Sequence, residues 1–268
     1  MIELTETEFI EFVNYMHKYY GIDLSKKRQL IEGRMSNMIE RKGMVSFSEY
    51  LKSIKNNHKE EIIEMVNRLT TNYTYFYREE QHFEYLRDTL LKEIEKTSQT
   101  KTLNIWSAGC SSGEEPYTIA MVLDEYFGYR KINWKINIKA TDISEQVLKQ
   151  AREGIYMEDV LKHLPVNYKS KYFTKVDGGK FRVNDDMRKY VTFGNLNLIE
   201  PLPNKNKYDV IFCRNVMIYF NTTTKEMTLN KFYEANKKGG YLMIGHSESV
   251  QRDKTEYKYI KPAIYKKE

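Results

Sequence analysis

The sequence predicts an α/β fold with a mostly parallel, doubly wound sheet that follows an all-helical domain. The first 70 residues place their apolar side chains only at helical spacing. After about residue 100, short apolar runs alternate with helical segments, a pattern that is typical of a parallel sheet. A chain of 268 residues, of which 41% are hydrophobic, is long enough and apolar enough to bury such a core.

The helical domain is predicted to contain four helices. Thr5 and Glu8 make a capping box that begins the first helix, and Gly21 ends it. Ser25 is expected to cap the second helix, which Gly43 ends. A second capping box and an apolar stripe indicate the third and fourth helices, at Ser46 with Glu49 and at Ile62, Ile63, Val66 and Leu69.

In the α/β domain, apolar runs at residues 103–106, 136–141, 208–213 and 241–245 predict strands, and residues 190–193 precede a further strand end. Residues 257–265 are expected to add a final antiparallel strand. Asp177-Gly178-Gly179 is a hairpin signal, so residues 165–190 are interpreted as a small antiparallel β-subdomain inserted in this domain. We therefore divide the chain into a helical domain (1–70), a linker with a connecting helix (71–100) and the α/β domain (101–268).

Composition excludes several classes of protein. The net charge of 43 − 37 = +6 is weaker than expected of a dedicated nucleic-acid binder. No run of about 18 apolar residues predicts a membrane span, and the acidic start does not look like a signal peptide. Two cysteines, Cys110 and Cys213, cannot build a disulfide framework. We expect a cytoplasmic, monomeric protein that binds no nucleic acid and does not insert into a membrane.

The positive charge is concentrated in two windows. Residues 21–59 carry nine basic against four acidic residues (+5), and residues 162–191 carry eight against three (+5). Each window is either a solvated face or a docking surface for an acidic partner.

Polar and small residues follow the predicted strands, where ligands of open α/β sheets bind. The first strand is followed by a loop from Gly109 to Gly113, and the second ends at Asp142, a carboxylate suited to ribose hydroxyls. The loop lacks a phosphate-binding fingerprint, and Glu114 and Glu115 follow it. Carboxylates repel a pyrophosphate but suit a nucleoside with a cationic tail, which points to S-adenosylmethionine. The two carboxylates could equally complement the helix N-terminus.

Five sequence blocks resemble the chemotaxis receptor methyltransferases (CheR family). They are LTTNYTYFYRE at residues 69–79, WSAGCSSGEEPYTI at 106–119, ATDI at 140–143, FCRNVMIYF at 212–220 and GHSES at 245–249, in that order. The resemblance covers residue 20 to the C-terminus. It implies a helical domain followed by an S-adenosylmethionine-dependent methyltransferase domain that methylates glutamate side chains on the cytoplasmic helical domain of chemoreceptors, giving glutamyl methyl esters and S-adenosylhomocysteine.

The resemblance also implies roles for individual residues. Glu115 matches the carboxylate near the methionine amino group, and Asp142 matches the ribose-binding residue. Arg78 and Tyr219 match the residues nearest the transferred methyl group. The remaining matches to cofactor-binding positions are Asn72, Thr74, Ala108, Gly109, Ile143, Asn197, Leu198, Arg214 and Asn215, and Arg78 belongs to this set as well.

The chemistry agrees with these implied roles. A glutamate is already ionised at pH 7, so methyl transfer to it needs no general base. Positioning is the main task of such an enzyme, and the planar fork of Arg78 suits a carboxylate. Without the motif, Arg78 could form only a surface ion pair with Glu79 and Glu80, and Tyr219 could be a core tyrosine.

Other features lead to further expectations. The five histidines (His17, His58, His82, His163 and His246) show no metal-ligand spacing, so no metal is expected; His82 is interpreted as structural, and His246 could line the pocket. On the basic second helix we expect Arg34, Arg41 and Lys42 to dock the receptor. The stretch at residues 172–191 is about three residues shorter at its turn than in enteric relatives that dock a receptor tail peptide, which predicts independence from that peptide.

Two other functions fit the sequence less well. The first is a methyltransferase of RNA or another small target, which the basic balance suggests. Base methylation commonly uses an N/D-P-P-Y/F motif after the fourth strand, whereas this chain has Arg214-Asn215-Val216-Met217 there. A non-catalytic module that keeps the cofactor fold would show degenerate pocket residues, and the matched positions are intact.

Overall fold

The computed structural model describes residues 2–56, 59–70, 72–202 and 205–268. His58 and Thr71, which belong to the predictions above, lie outside these residues. The helical domain buries one apolar core, which includes Phe12, Met35 and Phe47. Its helices are α1 (Glu6–Tyr20), α2 (Arg28–Arg41), α3 (Phe47–Lys55) and α4 (Lys59–Leu69).

The ends of α1 follow the prediction. The Glu8 N–H donates to Thr5 Oγ1 at 3.3 Å, and the Thr5 N–H donates to Glu8 Oε2 at 3.0 Å, which completes the capping box. Gly21 ends the helix in the left-handed region at φ 71°. The capping box at its start and the left-handed glycine at its end therefore fix the limits of this helix.

Two predicted caps need correction. The second helix begins at Arg28 without a side-chain cap, because the Ser25 N–H donates to Asp23 Oδ1 at 3.0 Å and forms a turn before the helix. Ser46 caps α3, but Glu49 Oε2 accepts from the Val45 N–H at 2.9 Å, so the box closes one residue early.

The linker connects the two domains through α5 (Gln81–Tyr85), a π-helical turn (Leu86–Leu90) and α6 (Leu91–Thr97). Phe76 packs edge-on against Tyr156 and Phe173, with ring centroids 4.9 and 5.2 Å away. Phe83 stacks on Phe212 at 6.0 Å. These aromatic contacts fasten the linker to the α/β domain.

The α/β domain contains the predicted parallel sheet. Its helices are α7 (Glu114–Phe127), α8 (Glu145–Glu153), α9 (Tyr168–Tyr172), α10 (Asp185–Arg188) and α11 (Thr222–Ala235). Its strands are β1 (Thr102–Ala108), β2 (Lys135–Asp142), β3 (Ile155–Met157), β4 (Phe173–Val176), β5 (Lys180–Val183), β6 (Val191–Asn195), β7 (Tyr208–Cys213), β8 (Asn236–Ile244), β9 (Lys258–Lys261) and β10 (Ile264–Lys266).

The order β6-β2-β1-β7-β8-β10-β9 places a topological switch point between β1 and β7. Strands β6, β2, β1, β7 and β8 are parallel. The predicted single strand at the tail is instead a hairpin, β9 and β10, because Pro262 fixes its own φ and Ala263 turns the chain at φ 63°. Strand β10 is antiparallel to β8, as expected.

A smaller antiparallel sheet forms the β-subdomain. Strands β4 and β5 pair around the predicted Asp177–Gly179 turn, and β3 pairs with the other edge of β5. The subdomain therefore begins at β3, before the predicted boundary at residue 165. The sequence did not predict β3, because a strand of three residues is too short to show an alternating pattern. No helix formed by the described residues is both long and apolar enough to cross a membrane.

Candidate active site

A cavity of about 250 Å³ lies at the switch point, where the linker and the helical domain face the ends of β1 and β7. Ala108 does not line this cavity, because it points with Trp106 into the packed face of the sheet. The cavity brings together the other predicted site residues, namely Asn72, Thr74, Arg78, Gly109, Glu115, Asp142, Ile143, Asn197, Leu198, Arg214, Asn215 and Tyr219.

Gly109 begins the loop after β1 in a conformation that other residues rarely adopt. Its φ is 82°, and a Cβ built there would lie 2.3 Å from Val216 Cγ2. Its N–H donates to the Thr141 carbonyl at 2.7 Å. A glycine is therefore required both by the backbone and by the close approach of the loop after β7.

Asp142 ends β2 with a buried carboxylate. The Ser111 N–H donates to Oδ2 at 2.8 Å, and the Ser144 N–H donates to Oδ1 at 2.9 Å. Burial raises the pKa of Asp142, and these backbone donors oppose the rise. A carboxylate offers about four acceptor positions, so capacity remains for a pair of ligand hydroxyls.

Of the two neighbouring glutamates, only Glu115 lines the cavity. It accepts from Ser107 Oγ at 2.6 Å and from Arg214 Nη1 at 3.0 Å. Burial raises the pKa of Glu115, and Arg214 opposes this. Glu114 instead accepts from Ser112 Oγ, and burial raises its pKa to about 7.

Arg214 follows β7, and all three nitrogens of its guanidinium group form hydrogen bonds within the protein. Its Nε and Nη2 lie 3.3 Å from Glu79 Oε2, and Nη1 lies 3.0 Å from Glu115 Oε2. Nη2 also donates to the carbonyl oxygen of Arg78. The side chain is 3% exposed. Arg214 therefore joins the linker to the first turn of α7.

Arg78 lines the same cavity, and most of its guanidinium N–H groups have no hydrogen-bond acceptor among the described residues. It is half-buried, and the described residues provide its guanidinium with one hydrogen bond, from Nη1 to the Tyr73 carbonyl at 2.9 Å. Arginine has five N–H donors, so most of them can meet a ligand in the cavity. The predicted alternative, an ion pair with Glu79 or Glu80, is absent among the described contacts.

Tyr219 is held in place by the helical domain. The Asp23 N–H donates to its carbonyl at 2.7 Å, and Ile22 forms an isolated β-bridge with Phe220. The ring packs against the core of the helical domain. Tyr20 also lines the cavity, so the helical domain supplies part of its wall.

Glu248, in the GHSES block, orders the loop after β7. Its carboxylate accepts from the N–H groups of Gly245, Asn215 and Ile218 at 2.6, 2.9 and 3.2 Å. Burial raises the pKa of Glu248. Within this loop, the buried Oδ1 of Asn215 has no hydrogen-bond partner in the described structure, so it offers an acceptor to a ligand.

Several lining residues were missed by the sequence analysis. Tyr20 and Ile22 come from the helical domain, and no local pattern marks a residue that reaches its site across a domain boundary. Cys110 and Ser111 lie inside the loop that was recognised, so its small residues were a usable signal. The further missed residues are Thr70, Tyr73, Tyr75, Phe83, Leu196, Val216, Ile218 and Phe220.

These groups fit S-adenosylmethionine. Glu115 and Asp142 provide carboxylates for a cationic amino group and for ribose hydroxyls, and Asn215 provides the unpartnered acceptor. Ile143 and Leu198 provide apolar surface for a base. The fit follows from these acceptor groups and from the strand ends that present them.

Of the predicted docking residues, Arg34 and Arg41 lie on α2 and Lys42 follows its last residue, and the three differ in their contacts. Arg34 Nη1 donates to the carbonyls of Arg68 and Thr70 at 2.9 and 3.2 Å, so it satisfies the end of α4. Lys42 Nζ lies 3.0 Å from both Glu61 and Glu64. Arg41 is exposed, and it lines a surface groove with Arg34 and Arg68.

Three residues could approach a metal ion, although none was expected. Glu79, His82 and His246 place their ligand atoms within 4.8 Å of one another. Arg214 already bonds Glu79, and burial, then the charge of Arg214, lowers the pKa of His82 to about 2. The positive charge of Arg214 also disfavours the binding of a metal ion at these residues. The His246 ring lies edge-on to the His82 ring, with the ring centroids 4.8 Å apart, and His246 does not line the cavity.

Comparison with known proteins agrees with this geometry. Residues 7–70 match the model of the CheR methyltransferase all-alpha domain, and residues 72–265 match that of the CheR methyltransferase SAM binding domain. The chain is similar to a chemotaxis protein methyltransferase of Borreliella burgdorferi, with 44% identity over 99% of this chain and 96% of that protein. It is 36% identical to one of Escherichia coli, over 92% and 86%. The chain therefore belongs to the CheR family of S-adenosylmethionine-dependent methyltransferases.

Proposed function

We propose that this methyltransferase acts on glutamate side chains in the cytoplasmic helical domain of chemoreceptors and converts them to glutamyl methyl esters. Its relatives are chemotaxis protein methyltransferases, which supports a substrate in that system. The observation that carries the proposal is the guanidinium of Arg78, which lines the cofactor cavity with uncommitted donors. A carboxylate is the acceptor that such a fork binds best.

The reaction requires positioning rather than proton transfer. S-adenosylmethionine supplies a sulfonium-bound methyl group, whose carbon becomes bonded to the carboxylate oxygen as S-adenosylhomocysteine is released. Arg78 keeps the incoming carboxylate ionised, because a carboxylate that entered this buried region without a cation would have a raised pKa, as Asp142 has. No residue of the cavity has to act as a general base.

We propose that Tyr219 orients the incoming carboxylate beside Arg78. Its hydroxyl has no hydrogen bond among the described contacts, and its backbone is fixed by Asp23. Because the helical domain holds Tyr219 in place at the cavity, its side chain limits where the substrate carboxylate can lie.

The groove on α2 is the proposed docking face for the receptor. Arg34, Arg41 and Arg68 surround it, and glutamate-bearing helices would meet it with complementary charge. Arg41 is the residue best placed to contact the partner, since Arg34 and Lys42 already have partners within the chain.

A transfer assay tests the proposed function. The protein is mixed with methyl-labelled S-adenosylmethionine and a receptor cytoplasmic fragment. We expect label on the receptor that is released by base, as a methyl ester is. A fragment whose helical glutamates are replaced by glutamine is the matched control and should stay unlabelled. Base-stable label, or label on added RNA, would contradict the proposal.

We also propose that the receptor is recognised without a C-terminal tail peptide. The turn between β4 and β5 has three residues, Asp177–Gly179, and offers little surface beyond the strand edges. Titration with a receptor tail peptide should show no saturable binding in the micromolar range. Micromolar binding would contradict this part of the proposal.

A further inference from the structure

We infer that Glu79 is a positioning residue that holds Arg78 in the cavity by way of Arg214. The inference rests on the proposed function, because it assigns Arg78 to the substrate carboxylate. Glu79 does not line the cavity, so any effect it has on transfer is exerted through other residues.

The backbone around Arg78 is strained. Tyr77 and Glu79, its two neighbours, have φ values of 64° and 56°. Non-glycine residues rarely occupy this left-handed region, and they remain there only where surrounding contacts impose it. The position of Arg78 therefore depends on whatever holds these neighbours.

Glu79 has the contacts to impose this conformation. Its Oε2 accepts from Arg214 Nε and Nη2 at 3.3 Å, and its Oε1 accepts from Asn215 Nδ2 at 3.4 Å and from the His246 N–H at 3.3 Å. Its side chain is 15% exposed. Three residues from two segments of the α/β domain, the loops after β7 and after β8, thus fix one linker carboxylate.

Arg214 completes the restraint by binding two consecutive linker residues. Its guanidinium pairs with the Glu79 carboxylate and donates to the Arg78 carbonyl. Its other end pairs with Glu115, on the cavity wall. Loss of the Glu79 charge would leave Arg214 with Glu115 as its single anionic partner and would release the backbone that carries Arg78.

Glu80 offers a matched control for Glu79. It is the next residue, it has the same side chain, and it is exposed. The described part of the chain gives its carboxylate no hydrogen bond or ion pair. Glu79→Gln and Glu80→Gln therefore remove the same charge from adjacent positions, and only the first disturbs Arg214.

Steady-state kinetics and cofactor binding test the inference. We expect Glu79→Gln to lower kcat for receptor methylation by about 10- to 100-fold while the Kd for S-adenosylhomocysteine changes less than about 3-fold. Glu80→Gln should stay within about 2-fold of the wild type. Glu79→Asp keeps the charge and should recover part of the loss.

A double-mutant cycle separates positioning from a general structural role. In the Arg78→Ala background, Glu79→Gln should cause less than about a 2-fold further loss, because the group that it positions is gone. Multiplicative losses, or a wild-type kcat in Glu79→Gln, would overturn the inference.

Hydrogen exchange gives a readout that does not depend on the receptor. Deuterium uptake over residues 72–83 should rise in Glu79→Gln and not in Glu80→Gln. Unchanged uptake would overturn the inference even if the wild type proved inactive on receptors. An inactive wild type would instead refute the proposed function, so the two failures are distinguishable.

Discussion

The two arginines of the cavity differ in what their guanidinium groups bind. Arg214, at the end of β7, is 3% exposed and is bonded to Glu79, Glu115 and a backbone carbonyl. Arg78, on the linker, is half-buried and has one internal hydrogen bond. The two arginines thus have different roles: Arg214 is a structural cross-link, whereas Arg78 is available to bind a ligand.

The difference shows how a site can be both rigid and receptive. A buried charge is stable only when it is paired, so Arg214 contributes order and little free binding capacity. An arginine with unused donors contributes binding capacity but needs its backbone held by something else. The cavity meets both needs by letting Arg214 hold the segment that presents Arg78.

The largest expected effect comes from removing Arg214. Arg214→Ala leaves Glu79 and Glu115 buried without their shared cation, and breaking a buried pair typically costs about 3–5 kcal/mol. We expect the free energy of unfolding in urea to fall by that amount and cofactor binding to weaken. A loss under about 0.5 kcal/mol would show that the network is not a stabilising cross-link.

Removing Arg78 should give the opposite signature. Arg78→Ala should lower kcat for receptor methylation by about 100-fold, the usual effect of deleting a group that binds the reacting charge. The free energy of unfolding should change by less than about 0.5 kcal/mol, because one exposed hydrogen bond is lost. Isothermal titration with S-adenosylhomocysteine should show nearly unchanged affinity. If Arg78→Ala lowered the free energy of unfolding as much as Arg214→Ala does, the distinction between the two arginines would be wrong.

Sequence patterns predicted the fold well where the signal is local. Strand β7 (Tyr208–Cys213) is apolar apart from Asp209, and its predicted bounds agree with the structure. Strand β3 was missed, and β9 and β10 were predicted as one strand. Strands of three or four residues are too short for a pattern to develop.

In the candidate site, sequence predicted which residues assemble but not which residues they bind. The motifs placed Arg78 and Arg214 together, and the structure brings both to one cavity. Nothing in the motifs shows that Arg214 pairs with Glu79, 135 positions away, or that Tyr20 closes the wall. Such pairings depend on how the domains pack, and that is set by contacts distant in sequence.

The contrast between a committed and an available arginine recurs on α2, and it gives the smallest expected effect. Arg34 donates to two backbone carbonyls at the end of α4, whereas the described part of the chain gives the exposed Arg41 no hydrogen bond or ion pair. Arg41→Glu should raise the receptor KM by about 3- to 10-fold and flatten its salt dependence, because exposed charges act through screened attraction. The Kd of the cofactor should not change.

Arg34→Ala is the comparison variant for this surface. It should lower the free energy of unfolding by about 1–2 kcal/mol, since it leaves two carbonyls at a helix end without their donor. Initial rates across a range of receptor and salt concentrations, measured beside urea unfolding, distinguish the two variants. If Arg41→Glu keeps the wild-type KM while Arg34→Ala raises it, the receptor contacts α2 through the residue that also caps α4, and docking and stability are coupled at that position.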